Sequence, residues 1–393
     1  MTSLHADRHV LNTTAFELRE TMLGFKYNPA SLLLHPRIQL RVASVIMYDW
    51  AHCYICDGLA DVETGMFFKA LSRTATHVSS IFEFGAYALQ MTHPKDLSSL
   101  QEIMQPKRLE ANLKNEHFSC SASQFLTLYP ILRRYIANIV CSRGELPDQC
   151  RSMLLCLDAL EMIHCLKGCG VTHSRLRRAI EHHLDAYIHA YGRAHARPKC
   201  HYVLHLPDMY ERHGCLLSTL VNERRHRLVK RYTRDRCAVD KKWEVGALEE
   251  VVAAQCQEAT EVVFFNVGML EPRAPRPNAW RAISDMFPDV ARDDVFISRQ
   301  LRTDYGTLTC GDYMFYHATA GVKVGVLETV VAVEGVVKCI ISTFVVVSRA
   351  ERWMVCKADG KLVVIPAKDA LCASAYMASG GEVDIHVPYF LRN

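Results

Sequence analysis

The chain has 393 residues, half of them hydrophobic and 22% charged, with a formal net charge of +4. This length exceeds one ordinary domain and implies two or three, each with its own core, while the balance of apolar to charged residues excludes wholesale disorder. The longest apolar stretches, Val262 to Leu270 and Val337 to Val347, fall short of the ~20 residues of a membrane helix, and Met1 to His9 lacks a basic region followed by an apolar one, so an intracellular protein is expected.

Arg37 to Tyr48 (RIQLRVASVIMY) combines β-branched residues with apolar clustering and ends at Asp49, which predicts a strand running into a turn. From about Glu63 to Phe264 the pattern turns helical. Phe67, Leu71, Val78 and Phe82 are followed by Phe125 to Val140, then by Met153, Leu157, Leu160 and Ile163, and by Leu176, Ile180, Leu184, Tyr187 and Tyr191. His93-Pro94, Gln105-Pro106, Gly144 to Pro147 and Arg197-Pro198 separate these helices, because proline ends or kinks a helix and glycine favours its C-terminus. Three prolines within Glu271 to Asn278 predict a stiff linker without helix. Beyond it, Val322 to Val333, Val336 to Ser348, Arg352 to Lys357 and Leu362 to Ile365 read as strands of a small barrel or compact sheet.

The sixteen cysteines are scattered through these elements and read as small buried apolar residues of a reducing compartment; Cys53-Tyr-Ile-Cys56 has ligand spacing but no second pair of that spacing to complete a four-cysteine zinc site. Charge is uneven. Between Arg175 and Lys242 sixteen Lys or Arg face seven Asp or Glu, so the stretch carries about +9 and the remainder about −5. Such a block fits a surface that meets phosphate, and equally a solvated helical face.

Asp49 and His52 are three apart and His201 and His205 four apart, so each pair projects from one face of a helix, and together they could form a tetrahedral zinc site. The alternative is that each histidine is separately hydrogen-bonded or exposed. Glu223 lies on an amphipathic stretch, Thr219 to Tyr232, together with Arg224, Arg225, Arg227, Lys230 and Arg231, and Arg234 follows. One reading is a surface ion-pair ladder; the other is a metal-binding carboxylate flanked by cations that contact phosphate.

Tyr48-Asp-Trp-Ala-His-Cys53 resembles the Asp-x-x-His motif of DDE transposases of the CACTA, Mirage and Chapaev group, and Lys199 to Pro207 followed by Asn222-Glu-Arg-Arg-His226 resembles their histidine-rich helix and final catalytic glutamate. The resemblance covers roughly Arg37 to Asp240. It implies an RNase H-like core carrying two Asp and one Glu on two divalent metals, Mg²⁺ or Mn²⁺, interrupted by a large helical insertion, here Asp57 to Ala196. Paired metals about 4 Å apart stabilise the attacking and leaving oxygens of phosphodiester displacement. About 48 residues precede Asp49, too few for the early core strands, so Glu223 and at most Asp49 would survive as catalytic residues. The C-terminal segment, from Cys310-Gly-Asp-Tyr-Met-Phe-Tyr316 through Gly321 to Leu327, is similar to the opening of the SH3-like or BAH-like barrels of chromatin proteins.

The expected architecture is thus mainly α with a C-terminal all-β module: a remnant of an RNase H-like edge (1–56), the helical insertion with its acidic and basic final helix (57–270), a linker (271–293) and an SH3-like barrel (294–393). The expected function is that of a nuclear, transposase-derived protein that is catalytically incomplete and binds DNA through a basic helical face, with structural Zn²⁺ at the histidines. A chromatin protein is the expected partner of the C-terminal module, no membrane is involved, and homo-oligomerisation stays open. The competing readings are a protein-interaction scaffold without nucleic acid and, last, an active metal-dependent strand-transfer enzyme.

Overall fold

The computed structural model describes residues 7–23, 27–28, 47–73, 79–94, 100–166, 170–218, 249, 252–253 and 268–392. Residues 1–48 form one compact unit and 49–393 another. In the first, helix α1 (Thr13–Leu23) starts where the Asn12 side chain accepts the Ala15 N–H at 2.9 Å, and Phe16 is buried edge-on against Tyr27. The predicted strand at Arg37 to Tyr48 lies mostly outside the described residues, and so does the whole Glu223 helix.

The second unit opens with a helical array. Its members are α2 (Trp50–Tyr54), α3 (Leu59–Arg73), α4 (Ile81–Gln90), α5 (Pro106–Asn115), α6 (Ala122–Tyr135), α7 (Pro147–His164), α8 (His173–Tyr191), α9 (Pro198–Val203) and α10 (Leu206–His213). The starts follow local chemistry. Ser80, Ser121 and Thr172 accept orphan N–H groups, Ser121 in a reciprocal capping box with Gln124. Pro106, Pro147 and Pro198 occupy first turns, where no N–H donor is needed. Gly144 ends the preceding segment at φ +70°. Helices α7 and α8 pack on each other and bury the predicted stripes, Met153, Leu157, Leu160 and Ile163 with Leu176, Ile180, Leu184 and Tyr187. Helix α3 packs against α7 and, at Gly65, passes so close to the chain at 116–117 that an added Cβ would stand 2.3 Å from the His117 nitrogen.

After β1 (Gly268–Leu270) comes α11 (Pro277–Ile283), then β2 (Val295–Ser298), β3 (Gln300–Thr303), β4 (Gly306–Thr309), β5 (Tyr313–Ala318), β6 (Gly321–Val333), β7 (Val336–Arg349), β8 (Trp353–Pro366), β9 (Ala370–Ala373), β10 (Tyr376–Ser379) and β11 (Glu382–His386). A three-stranded sheet runs β1-β3-β4, and an eight-stranded antiparallel sheet runs β10-β11-β8-β7-β6-β5-β9 with β2 paired to β6. The two ends of that path, β9 and β10, are joined by Ser374 and Ala375 alone, so the sheet must coil until its edges approach. Alternation supplies cores on both faces: Met314 and Tyr316 enter one cluster with Leu327 and Ile341, while Phe315 enters another with Cys356 and Ile385.

The structure alters two expectations. The segment 271–293 is no free linker: Pro277 starts α11, and Trp280, Ile283 and Phe287 pack against Val331, Val333 and Ile340 of the sheet. The two short strands expected at 352–365 are one, β8, because Ala358 to Lys361 continue it; the register shift between Ser342 and Phe344 absorbs the irregularity. Among the described residues no helix is long and apolar enough to cross a membrane.

Candidate functional site

Asp49 does not end a strand; it caps α2. Its Oδ1 accepts the Ala51 N–H at 2.8 Å and its Oδ2 meets His52 Nδ1 at 2.7 Å. Helix α9 packs against α2, and Lys199 Nζ ties them together by donating to the carbonyls of Cys56 and Asp57, each at 2.9 Å. At its end His201 Nε2 lies 3.1 Å from His205 Nε2, His205 standing between α9 and α10 rather than inside one helix. Sequence-distant motifs are therefore brought onto neighbouring elements. The expected four-ligand zinc site is nevertheless replaced by two side-chain pairs, since Asp49 is committed to the cap and to His52, and the gathering of three or more ligand groups among the described residues lies elsewhere. Glu223, Arg224, Arg225, Arg227, Lys230, Arg231 and Arg234 fall outside the described residues, so no two-metal centre for Mg²⁺ or Mn²⁺ is assembled among those described.

That gathering is Glu63 on α3, Cys156 on α7 and His183 on α8, whose ligand atoms lie within 4.8 Å of one another and which are all 0% exposed. Ser152, one turn before Cys156, donates its hydroxyl to Glu63 Oε1 at 2.5 Å; Glu63 Oε2 meets His183 Nε2 at 2.8 Å. Burial, followed by the charge of Glu63, holds the Cys156 thiol well above its usual pKa, so it is a thiol when nothing coordinates it. Tyr54 OH and His183 Nδ1 are buried there without hydrogen-bond partners. A sealed carboxylate, imidazole and thiol can share protons or hold an ion, but no substrate reaches them. Sequence reasoning missed Glu63 and His183. The available signal was a polar residue on an apolar stripe: His183 between Ile180 and Tyr187, and Glu63 one turn before Phe67.

A second buried polar group joins α7 to the sheet module. Arg392 grips Glu161 with both terminal nitrogens at 2.6 and 2.8 Å, and Arg352 Nη1 donates to it at 2.6 Å. Asp158 accepts from Arg133 at 2.6 Å and also from Arg352. Burial raises the Glu161 carboxyl, but Arg392, then Arg133, outweigh it and leave it below the usual carboxylate range. His386 faces the same knot; burial, with Arg392, Arg133 and Arg352 opposing Glu161, pulls its pKa down to about 3, so its ring is neutral and accepts from Arg392 at 3.2 Å.

Beside this knot runs an open groove of about 340 Å³ between α7 and α8, with Leu155, Met162 and Ala179 as its apolar part and Asp158, Arg175, Arg178 and His182 at its polar edge. Arg175, Arg178, His182 and His189 lie along one exposed face of α8, opposite the buried Ile180, Leu184 and Tyr187. Glu181 and Asp185 flank that stripe, His189 Nε2 stands 3.6 Å from Asp148 Oδ2, and Arg193, His195 and Arg197 follow as exposed residues beyond the helix.

No family model, no curated protein and no solved structure matches this chain.

Proposed function

We propose that the chain is a transposase-derived, DNA-associated nuclear protein that is catalytically incomplete and binds duplex DNA through a basic helical face. The observation that carries this reading is the exposed face of α8 that presents Arg175, Arg178, His182 and His189. Arg175 and His189 stand 14 residues apart, about 21 Å at 1.5 Å per residue, enough to follow roughly six base pairs of backbone. The juxtaposition of the Asp49-His52 and His201-His205 motifs supports the resemblance that suggested it. In this reading the helical array is the insertion of an RNase H-like core, and the coiled sheet is the SH3-like module that takes a chromatin protein.

The test is a fluorescence-anisotropy titration of a DNA duplex at several salt concentrations. Affinity is expected to fall with log salt at a slope of about −0.9 per phosphate contacted, and Arg175→Glu with Arg178→Glu should weaken binding at least tenfold. Salt-independent binding, or no loss in the double variant, rejects the reading.

One observation favours a scaffold instead. From Phe344 to Arg349, β7 pairs among the described residues with β8 alone and exposes Val345, Val346 and Val347, an apolar edge suited to an added strand from a protein partner. A folded chain that ignores DNA but protects these amides from hydrogen exchange on adding a partner would point there.

A further inference from the structure

We infer that Glu63, Cys156 and His183 form a structural zinc site at the junction of α3, α7 and α8. The residues belong to three separate helices and none is exposed, so a divalent ion would fasten the array from within. The donor set balances charge: one carboxylate, one thiolate and one neutral imidazole cancel a 2+ ion, whereas any surplus charge would be costly in so dry a place. Its chemistry selects the metal. Thiolate and imidazole suit zinc, and they do not suit Mg²⁺ or Ca²⁺, which want oxygen.

The surroundings also fit. Ser152 fixes Glu63 Oε1 and so leaves Oε2 directed at His183 and free to turn to an ion. Tyr54 adjoins the set: its ring centroid lies 6.1 Å from that of His183, and its hydroxyl is fully buried without a hydrogen-bond partner among the described residues. His183 Nδ1 lacks a partner whichever group Nε2 meets, and so does not discriminate. Binding would release the proton of the Cys156 thiol, with no change of oxidation state.

Purified full-length chain, loaded with Zn²⁺ and dialysed, is expected to retain metal by mass spectrometry. Exchanged for Co²⁺, the site should show a thiolate-to-cobalt charge-transfer band. Cys156→Ser should abolish that band, and His201→Ala with His205→Ala should leave it unchanged. A band that survives Cys156→Ser, a band lost in the histidine double variant, or no retained metal overturns the assignment. Should Cys156→Ser fail to fold, X-ray absorption on the wild-type zinc form decides: a single sulfur among nitrogen and oxygen neighbours upholds the site, and none or more than one overturns it.

Discussion

Helix α7 carries two buried polar centres within three turns, and they are built on opposite principles. Around Glu161 and Asp158 the counter-charges are permanent, the guanidinium groups of Arg133, Arg352 and Arg392. Around Glu63, among the described residues, no arginine or lysine makes a hydrogen bond, and its neighbours are Ser152, His183 and the Cys156 thiol. The first centre is complete as protein and responds to acid; the second needs a proton or an ion, and responds to what is bound. Charge alone separates a joint from a receptor here.

The largest effect should come from breaking the permanent centre. Glu161→Ala leaves Arg392 buried without its carboxylate and Arg352 with Asp158 alone, and should cost roughly 3–5 kcal/mol in denaturant unfolding. Glu63→Gln keeps the size and an acceptor for Ser152, so metal-free chain should lose less, about 1–3 kcal/mol. Equal losses would erase the distinction between the centres.

Their pH responses sharpen it. His386, with its folded pKa near 3 against an ordinary 6.5, adds stability that is present above 6.5 and is lost as pH falls through that window. Glu161, depressed below its ordinary 4.5, adds a loss of the same sign lower down. Thermal melts from pH 7 to 4 should fall for the wild type and fall less for His386→Phe. Asp61 on α3 has the opposite sign: burial raises its pKa well above 3.8, so the fold holds a proton that the unfolded chain releases, and stability declines as pH rises through that range. Asp61→Asn should therefore melt higher than wild type at neutral pH, with a flatter pH profile. The smallest effect is expected from Arg73→Ala at the exposed pair with Glu116, within about 0.5 kcal/mol in the same denaturant assay.

Much of the scaffold was legible in the sequence because it rests on local chemistry. The stripes of α7 and α8, the breaks at Gly144 to Pro147 and at Pro198, and strands β6 and β7 within a residue or so all follow from period and punctuation. Segment 271–293 was misread because proline at a first helical position looks the same as proline in a linker until Trp280 and Phe287 find the sheet. Of the sites, Asp49 does meet His52 and His201 does meet His205, but Asp49 caps its helix and His205 stands between two, where the spacing had put each pair on one helical face. Glu63, Cys156 and His183 come from three helices, so their meeting is a property of packing that no single period carries.

Gly65 shows how that packing is enforced. With a hydrogen in place of a side chain, it lets α3 settle against His117, two positions along from Glu63. In a saturation library of this chain, alanine at 65 would be among the harshest exchanges despite removing no contact, because one methyl would lift the helix and carry Glu63 out of reach of its partners. The tolerance of the innermost chemistry to variation is thus set by a residue that takes no part in it.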